Sequence, residues 1–212
     1  MKKIMTIAPH PDDEVIGCGG TLLKHVSKGD KVYIIYLTNG EFCLNKIKYQ
    51  ESCEIRKQEA SKVCNRGNFQ ILHYSDIPSR GILENYSDLL LLVVNYILQI
   101  KPDIIYYPHK DERDNDHSIS NRLVKDAYII YLNNTNQKIY PMLLCYEIWT
   151  PIQNIIKLNN ISEFYDMKRQ LINLYRSQSK INYSEAILSL NKYRAILNGI
   201  NGFVEGYTYE SV

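Results

Sequence analysis

Histidine and carboxylate side chains cluster at two places in this chain of 212 residues. The first place is the segment 9–14 (PHPDDE), and the second is the segment 109–117 (HKDERDNDH). Imidazole nitrogens and carboxylate oxygens together are common ligands of zinc and other divalent cations. Each segment alone is also typical of a solvated loop, because Asp and Pro are frequent in turns. The occurrence of both segments favours one shared metal site.

A catalytic zinc site needs three protein ligands and one open position. His10, Asp13 and His117 offer a nitrogen, an oxygen and a nitrogen, and we predict that they bind one Zn²⁺ per chain. Asp12 would then lie beside the metal without binding it. There its carboxylate is suited to act as general base toward a water molecule whose pKa zinc lowers toward about 7. The same ligands also suit Fe²⁺ or another divalent cation.

Residues 9–22 (PHPDDEVIGCGGTL) resemble the signature of the PIG-L/LmbE family of zinc-dependent N-deacetylases. Residues 113–117 (RDNDH) resemble the second motif of that family, which usually reads His-x-Asp-His. The resemblance implies that the chain removes the acetyl group from an N-acetylated amino sugar or its conjugate. It also implies that His10, Asp13 and His117 bind zinc and that Asp12 is the general base, in agreement with the assignment made from the residues.

The second motif departs from the family pattern at Asp114, which stands where a histidine is usual. The resemblance gives that histidine the role of stabilising the oxyanion or protonating the leaving amine. An aspartate donates a proton only if burial or a neighbouring carboxylate raises its pKa. The catalytic acid is therefore Asp114 or a replacement, for which His109 is a candidate together with Tyr107 and Arg113.

Other residues of the motifs are expected to support the site. Asp116 is predicted to orient a histidine from behind the metal ligands, and Glu14 is predicted to lie in the same supporting layer. The segment 17–20 (GCGG) opens a helix after a strand, as a phosphate-binding loop does, but it lacks the GxGxxG spacing. We predict that these glycines allow the start of the helix to pack closely behind the metal loop.

Four residues are candidates for sugar binding. Arg56 and Asp76 match positions that contact the sugar in the family. Tyr146 and Trp149 belong to the segment 146–151 (YEIWTP), which resembles one bacterial branch of the family, and aromatic rings can stack on a sugar face. Structural explanations stay open, because Arg56 can pair with Glu59 on a helix surface, Asp76 can be a turn residue, and the aromatic rings can pack in the core.

Strand and helix patterns alternate along the chain and place both motifs after strands. Apolar runs predict strands at 3–8, 31–37, 69–74, 103–107 and 142–148, with a sixth at 154–158. Helical patterns cover 17–29, 50–64, 85–100, 117–132 and most of 162–199. Strands that are apolar throughout favour a parallel sheet covered on both sides. We predict an α/β fold, with a Rossmann-like, mostly parallel sheet, helices on both faces and the site at the carboxyl ends of the strands.

Composition narrows the class of protein. The 25 Lys and Arg against 23 Asp and Glu give a net charge of +2, which provides no basic face for nucleic acid. The most apolar stretch, 89–98, is shorter than the roughly 20 residues of a membrane-spanning helix, so no integral membrane segment is expected.

Five cysteines without CxxC spacing predict free thiols and a cytoplasmic location. The length predicts a single domain over residues 1–212, while the existence of a homo-oligomer stays open.

Three functions are compatible with these features. The preferred one is a zinc-dependent N-deacetylase acting on a small N-acetylated sugar or a glycoconjugate. The second is a catalytically weak homologue that binds an N-acetyl sugar, which the aspartate at position 114 suggests. The third is a two-metal phosphoesterase, but that site needs metals about 3.5–4 Å apart and more ligands than the sequence clearly offers.

Overall fold

A sheet of five parallel strands forms the centre of the protein, in the order β3-β2-β1-β4-β5. The computed structural model describes residues 1–41, 48–135, 140–179 and 182–210. The strands are β1 (Lys3–Ala8), β2 (Lys31–Tyr36), β3 (Gln70–Tyr74), β4 (Ile104–Pro108) and β5 (Met142–Tyr146). Every neighbouring pair is parallel. The predicted parallel sheet is confirmed.

Helices cover both faces of this sheet, as predicted. They are α1 (Asp13–Ser27), α2 (Tyr49–Gly67), α3 (Tyr86–Ile100), α4 (Asn115–Asn134), α5 (Tyr165–Leu174) and α6 (Tyr183–Leu197). Successive strand residues point to opposite faces, so Ile4 and Ala8 join one buried cluster while Met5 and Ile7 join the other. The first cluster packs against α1, α2, α5 and α6, and the second packs against α3 and α4.

The sixth predicted strand lies outside the central sheet. Residues Lys157–Asn160 form β6, which pairs antiparallel with β7 (Val204–Tyr207) in a sheet of two strands. The placement of the predicted strand at 154–158 was therefore wrong by a few residues. Strand β7 was not predicted, because it has four residues, and Glu205 and Gly206 interrupt its apolar pattern.

Helix α1 begins four residues earlier than predicted and bends at Cys18, whose backbone is not helical (φ −141°, ψ 15°). The Glu205 carboxylate accepts hydrogen bonds from the backbone N–H groups of Gly20 and Thr21, each at 2.8 Å, just after the bend. A Cβ atom at Gly17 would overlap the ring of Tyr146. The close packing predicted for the glycines is confirmed. The backbone N–H groups of Gly20 and Thr21, which a phosphate-binding loop would offer to a phosphate, are bound by Glu205 instead.

The order of the strands brings the two motifs together. Strands β1 and β4 are neighbours in the sheet. Helix α1, which follows β1, packs on one face of the sheet, and helix α4, which follows β4, packs on the other face. Where the helices that follow two neighbouring strands lie on opposite faces, a crevice opens beyond the carboxyl ends of these strands. This crevice is the usual ligand site in this type of sheet. The segments that follow Ala8 and Pro108 both enter this crevice.

Two further expectations concern the cysteines and membrane insertion. The four cysteines that the structure describes, at positions 18, 53, 64 and 145, are free thiols, as expected for them. Cys43 lies outside the described residues. Within the described part of the chain, no helix combines the length and the apolar character that crossing a membrane requires.

Candidate active site

Three predicted metal ligands converge on one point beyond β1 and β4. His10 lies in the turn after β1, Asp13 is the first residue of α1, and His117 lies in the first turn of α4. The distances are 3.3 Å from His10 Nδ1 to His117 Nε2, 3.3 Å from His10 Nδ1 to Asp13 Oδ2, and 3.2 Å from His117 Nε2 to Asp13 Oδ2. Ligands 2.0–2.2 Å from a tetrahedral zinc lie about 3.3–3.6 Å from one another. This triad therefore fits a single divalent cation.

Carboxylates stand behind both histidines. His10 Nε2 lies 3.0 Å from Asp116 Oδ2, which leaves Nδ1 facing the triad. His117 Nδ1 makes no hydrogen bond among the described residues, and its nearest acidic neighbour is Glu112 Oε2 at 3.7 Å. Carboxylates in this position fix the orientation of metal-binding histidines. Asp116 thus faces the His10 nitrogen that is turned away from the triad, and its role in orienting that histidine stays a prediction.

Glu112 is a site residue that sequence reasoning missed. Its buried carboxylate accepts hydrogen bonds of 2.6–3.2 Å from the backbone N–H groups of Ile148, Trp149 and Thr150. Burial acts against ionisation, but the nearby imidazoles of His109 and His117, together with backbone N–H groups, lower the pKa of Glu112 to about 2. These bonds hold the segment after β5 against the start of α4, and they explain why β5 ends at Tyr146 rather than at the predicted Ile148.

The charges of the triad depend on one another. Burial lowers the pKa of both histidines, but neighbouring carboxylates outweigh it and raise the pKa of His10 to about 9 and that of His117 to about 10. The pKa of Asp13 is depressed despite its burial, because both imidazoles lie against its carboxylate. In the metal-free protein at pH 7, protons therefore occupy the place that a cation would take.

Asp12 lies between the triad and a buried arginine. Its backbone has φ 126° and ψ −26°, a conformation that costs a non-glycine residue about 1–3 kcal/mol. Its carboxylate Oδ2 lies 3.2 Å from Nη2 of Arg56. Burial raises the pKa of Asp12 to about 6, although Arg56 acts in the opposite direction. The side chain is thus more basic than an ordinary aspartate.

Glu14 supports Asp12 from the protein interior. Its Oε2 accepts a hydrogen bond of 3.0 Å from the backbone N–H of Asp12, and its Oε1 accepts one of 2.6 Å from the hydroxyl of Tyr175. The side chain is fully buried, and burial raises its pKa to about 7. Glu14 therefore contacts the backbone of Asp12 from the interior, and its predicted supporting role stays a prediction.

Two clefts meet at Asp12. The triad cleft has a volume of about 240 Å³ and an adjoining cleft has about 470 Å³. Asp12, Gln178 and Tyr183 line both clefts. The adjoining cleft runs between the start of α1, the end of α5 and the start of α6, and its walls include Ile16 and Ile172. Gln178 and Tyr183 were not predicted, because they come from the C-terminal third, where no motif marked them.

Asp114 and His109, two of the candidates for the catalytic acid, lie in different places. Asp114 lines the triad cleft and caps the N-terminus of α4, where its carboxylate accepts the backbone N–H of Asp116 at 2.8 Å. His109 is 3% exposed, and its Nε2 lies 2.7 Å from the carbonyl oxygen of Thr150. It borders a separate cleft on the other side of the segment after β5.

The four residues predicted to bind sugar also differ in their surroundings. Trp149 lines the triad cleft, and its ring lies 4.9 Å from the ring of Tyr183. Tyr146 is fully buried and its hydroxyl donates to the carbonyl oxygen of Ile7, so it has no surface for a sugar. Asp76 is exposed in the turn after β3 and does not line the triad cleft. Two other residues of the same turn, Ser79 and Arg80, line that cleft. Arg56 borders the triad cleft but is 1% exposed.

A sequence model of the GlcNAc-PI de-N-acetylase (PIG-L) family matches residues 5–128, more than half of the chain, and the match includes both motifs. A curated relative, a glucosamine-6-phosphate deaminase-like protein of Bacteroides thetaiotaomicron, is 40% identical over 43 residues. This stretch is 20% of the present chain and 6% of that much longer protein.

Solved structures share the fold at low sequence identity. The conserved protein TT1542 of Thermus thermophilus has a TM-score of 0.81 and 24% identity, covering 100% of this chain and 95% of that one. GalB, the 4-carboxy-2-hydroxymuconate hydratase of Pseudomonas putida, has a TM-score of 0.81 and 20% identity, covering 100% and 98%. The N,N′-diacetylchitobiose deacetylase of Pyrococcus horikoshii has a TM-score of 0.77 and 21% identity, covering 98% and 83%. These likenesses establish the α/β fold, and the named proteins differ in their reactions.

Proposed function

The chain belongs to the PIG-L family, and we propose that it is a metal-dependent hydrolase that removes the acetyl group from the nitrogen of an N-acetylated amino sugar or its conjugate. The observation that carries this proposal is the convergence of His10 Nδ1, Asp13 Oδ2 and His117 Nε2 within 3.3 Å of one another. The family match supports the proposal, because it spans all three residues.

We propose Zn²⁺, one per chain, as the cation held by the triad. Two imidazole nitrogens and one carboxylate oxygen are a donor set typical of zinc, and Fe²⁺ suits the same set. When bound, the cation would supply Lewis-acid chemistry that polarises the amide carbonyl and lowers the pKa of the attacking water. Asp116 and Glu112 would keep the two imidazoles turned toward it.

Asp12 is the proposed general base. Its carboxylate lines the triad cleft without belonging to the triad, and its raised pKa makes it a better proton acceptor than an exposed aspartate. It takes a proton from the water that attacks the acetamide carbon. The carbon–nitrogen bond then breaks, the nitrogen receives a proton, and acetate and the free amine leave. We propose that Asp12 passes the proton it took from water to that nitrogen, because the carboxylate of Asp114 caps α4 and His109 borders a separate cleft.

The clefts support a substrate larger than one small ring. Small-molecule sites usually measure about 300–1,000 Å³, and the triad cleft alone has about 240 Å³. The adjoining cleft offers room for the group attached to the amino sugar. Trp149 and Tyr183 provide aromatic surface beside the triad, which suits the apolar face of a sugar.

The free thiols favour a reducing compartment, and we propose the cytoplasm.

A catalytically weak sugar-binding homologue is the second candidate. The observation that favours it is Asp114, whose carboxylate stands at the usual histidine position and caps α4. A carboxylate cannot stabilise an oxyanion while ionised, so such a protein would hold an N-acetyl sugar with little turnover. Binding without release of amine would identify this function.

The test is the substitution Asp12→Asn, compared with Asp111→Asn in the exposed part of the segment 109–117. Loss of a general base lowers kcat by about 10²–10⁴-fold, so Asp12→Asn should abolish most amine release from N-acetylated sugar conjugates while the metal content stays at one per chain. Asp111 pairs with Lys110 on the surface, and its substitution should change neither quantity. Loss of metal in Asp12→Asn would make Asp12 a ligand and contradict its assignment as base.

A further inference from the structure

Arg56 is almost completely buried although it lies on helix α2 beside the site. Its Nη2 group donates to the carbonyl oxygen of Pro11 and lies 3.2 Å from Asp12 Oδ2. One guanidinium nitrogen therefore contacts the peptide before Asp12 and the carboxylate of Asp12 itself. Gly40 lies over the same guanidinium, since a Cβ atom there would be 3.1 Å from Nε and 3.3 Å from Nη2.

The other side of the guanidinium reaches the C-terminal part of the chain. Nη1 of Arg56 lies 3.1 Å from Ser177 Oγ, in the 3-10 turn Arg176–Gln178. Glu59, one turn further along α2, accepts the backbone N–H of Ser177 at 2.8 Å and its hydroxyl at 2.5 Å. Arg56 and Glu59 thus attach this turn, which carries Gln178 into the cleft, to the loop of the first motif.

Asp12 needs such support because of its backbone conformation. A φ of 126° is one that side-chain-bearing residues rarely adopt, and it persists only where surrounding contacts determine it. Glu14 holds the backbone N–H of Asp12, and Arg56 holds the preceding carbonyl and the carboxylate. The planar, multiply donating guanidinium can serve both acceptors at once, which the single ammonium group of lysine does less well.

We propose that Arg56 is a positioning residue that fixes Asp12 for proton abstraction, and that it acts through Asp12 rather than by binding the sugar. The proposal rests on the proposed function of Asp12 as general base. It predicts that Arg56 affects the chemical step, whereas a sugar-binding arginine would affect substrate affinity.

The kinetic test uses Arg56→Gln and Arg56→Lys, with Arg66→Gln as the matched control. Arg66 is on the same helix and its side chain is exposed. Misplacement of a reacting group by about 1 Å costs up to about 100-fold, so kcat should fall about 10- to 100-fold in Arg56→Gln and less in Arg56→Lys. KM for an N-acetylated sugar conjugate should stay within about threefold. A rise in KM of tenfold or more with kcat preserved would overturn the proposal and leave the deacetylase function intact.

A second readout does not depend on turnover. Hydrogen exchange of the metal-free protein, followed by mass spectrometry, should be faster at residues 9–14 in Arg56→Gln and unchanged in Arg66→Gln. Unchanged exchange at residues 9–14 would overturn the positioning role. If the wild-type protein released no amine, the proposed function would fall, and the exchange experiment would still decide whether Arg56 holds the loop. If Arg56→Gln does not fold, Ser177→Ala removes the hydroxyl that contacts Arg56 Nη1 and Glu59 Oε2, while both contacts of Arg56 with the first motif remain. It should lower kcat about fivefold, the value of one hydrogen bond.

Discussion

Helix α1 carries a buried cluster of charges at each of its two segments. One cluster, the triad of His10, Asp13 and His117 with Asp12 beside it, lies at the first residue of the helix. The other lies after the bend at Cys18 and consists of Lys168 from α5 and Glu205 from β7. The first cluster lines a cleft and the second is fully enclosed, and their hydrogen bonds are arranged differently.

The Lys168–Glu205 cluster is closed. Lys168 Nζ lies 2.7 Å from Glu205 Oε1 and 3.0 Å from Asn191 Oδ1. The Glu205 carboxylate also accepts two backbone N–H groups and the hydroxyl of Tyr207. Each charged atom finds partners of opposite polarity within the chain. In the triad, by contrast, two imidazole nitrogens lie 3.3 Å from each other and both face the same carboxylate oxygen of Asp13. Buried polar groups are normally satisfied, so the closed cluster stabilises the fold and the open one is suited to a ligand.

The largest effect on stability should come from breaking the closed cluster. Lys168→Met leaves Glu205 buried without its counter-ion, and such losses cost about 3–5 kcal/mol. Chemical denaturation should show this decrease in the free energy of unfolding, while the metal content of the folded protein stays unchanged. Arg169→Met is the matched control, because Arg169 pairs with Asp166 on the surface and should cost about 0.5 kcal/mol or less. An effect of Lys168→Met no larger than that of the control would show that the pair is not structural.

A smaller effect is expected from removing a carboxylate behind the triad. Asp116→Ala takes away the group that faces His10 Nε2, and losses of this kind reduce metal affinity about 10- to 100-fold. Competition with a chromophoric chelator measures the affinity. Asp166→Ala, on the exposed surface of α5, should leave it unchanged. Equal metal affinities of Asp116→Ala and the wild type would show that Asp116 does not support metal binding.

The last effect, about tenfold per pH unit for each proton released, is the dependence of metal binding on pH. Because the pKa of His10 and that of His117 are raised in the metal-free protein, binding of a cation at pH 7 must displace protons. Release of one proton makes the affinity rise about tenfold per pH unit, and calorimetry in buffers of different ionisation enthalpy should count one to two protons. Affinity that is constant between pH 7 and 9 would contradict the open arrangement described for the triad.

The sequence was informative where chemistry and strand ends coincide. His10, Asp13 and His117 could be predicted because their residue types stand out directly after apolar strands, and parallel strands bring such segments to one edge. The predicted α/β fold followed from the same apolar strands. The role of Asp12 stays a prediction, and its unusual backbone conformation has no signature in the letters PHPDDE.

Other features depended on packing that the sequence pattern does not contain. Tyr146 was assigned to the sugar because it is an aromatic residue of the segment 146–151, but its ring is buried in the core against Gly17. Glu112 looked like one member of a solvated charge run, and only the fold shows three backbone N–H groups converging on it. Glu205 belongs to β7 of the separate two-stranded sheet, so its contact with α1 was not visible either. In each case the deciding partner is distant in the chain.

Metal content is the most direct test of the difference between the two clusters. Elemental analysis of protein purified without chelators should find about one zinc or iron ion per chain in the wild type and in His25→Ala, whose histidine pairs with Asp30 away from the site. His117→Ala should contain none. About two ions per chain would favour a two-metal site. Absence of metal in the wild type, with no uptake when zinc is titrated in, would contradict the assignment of the triad as a metal site.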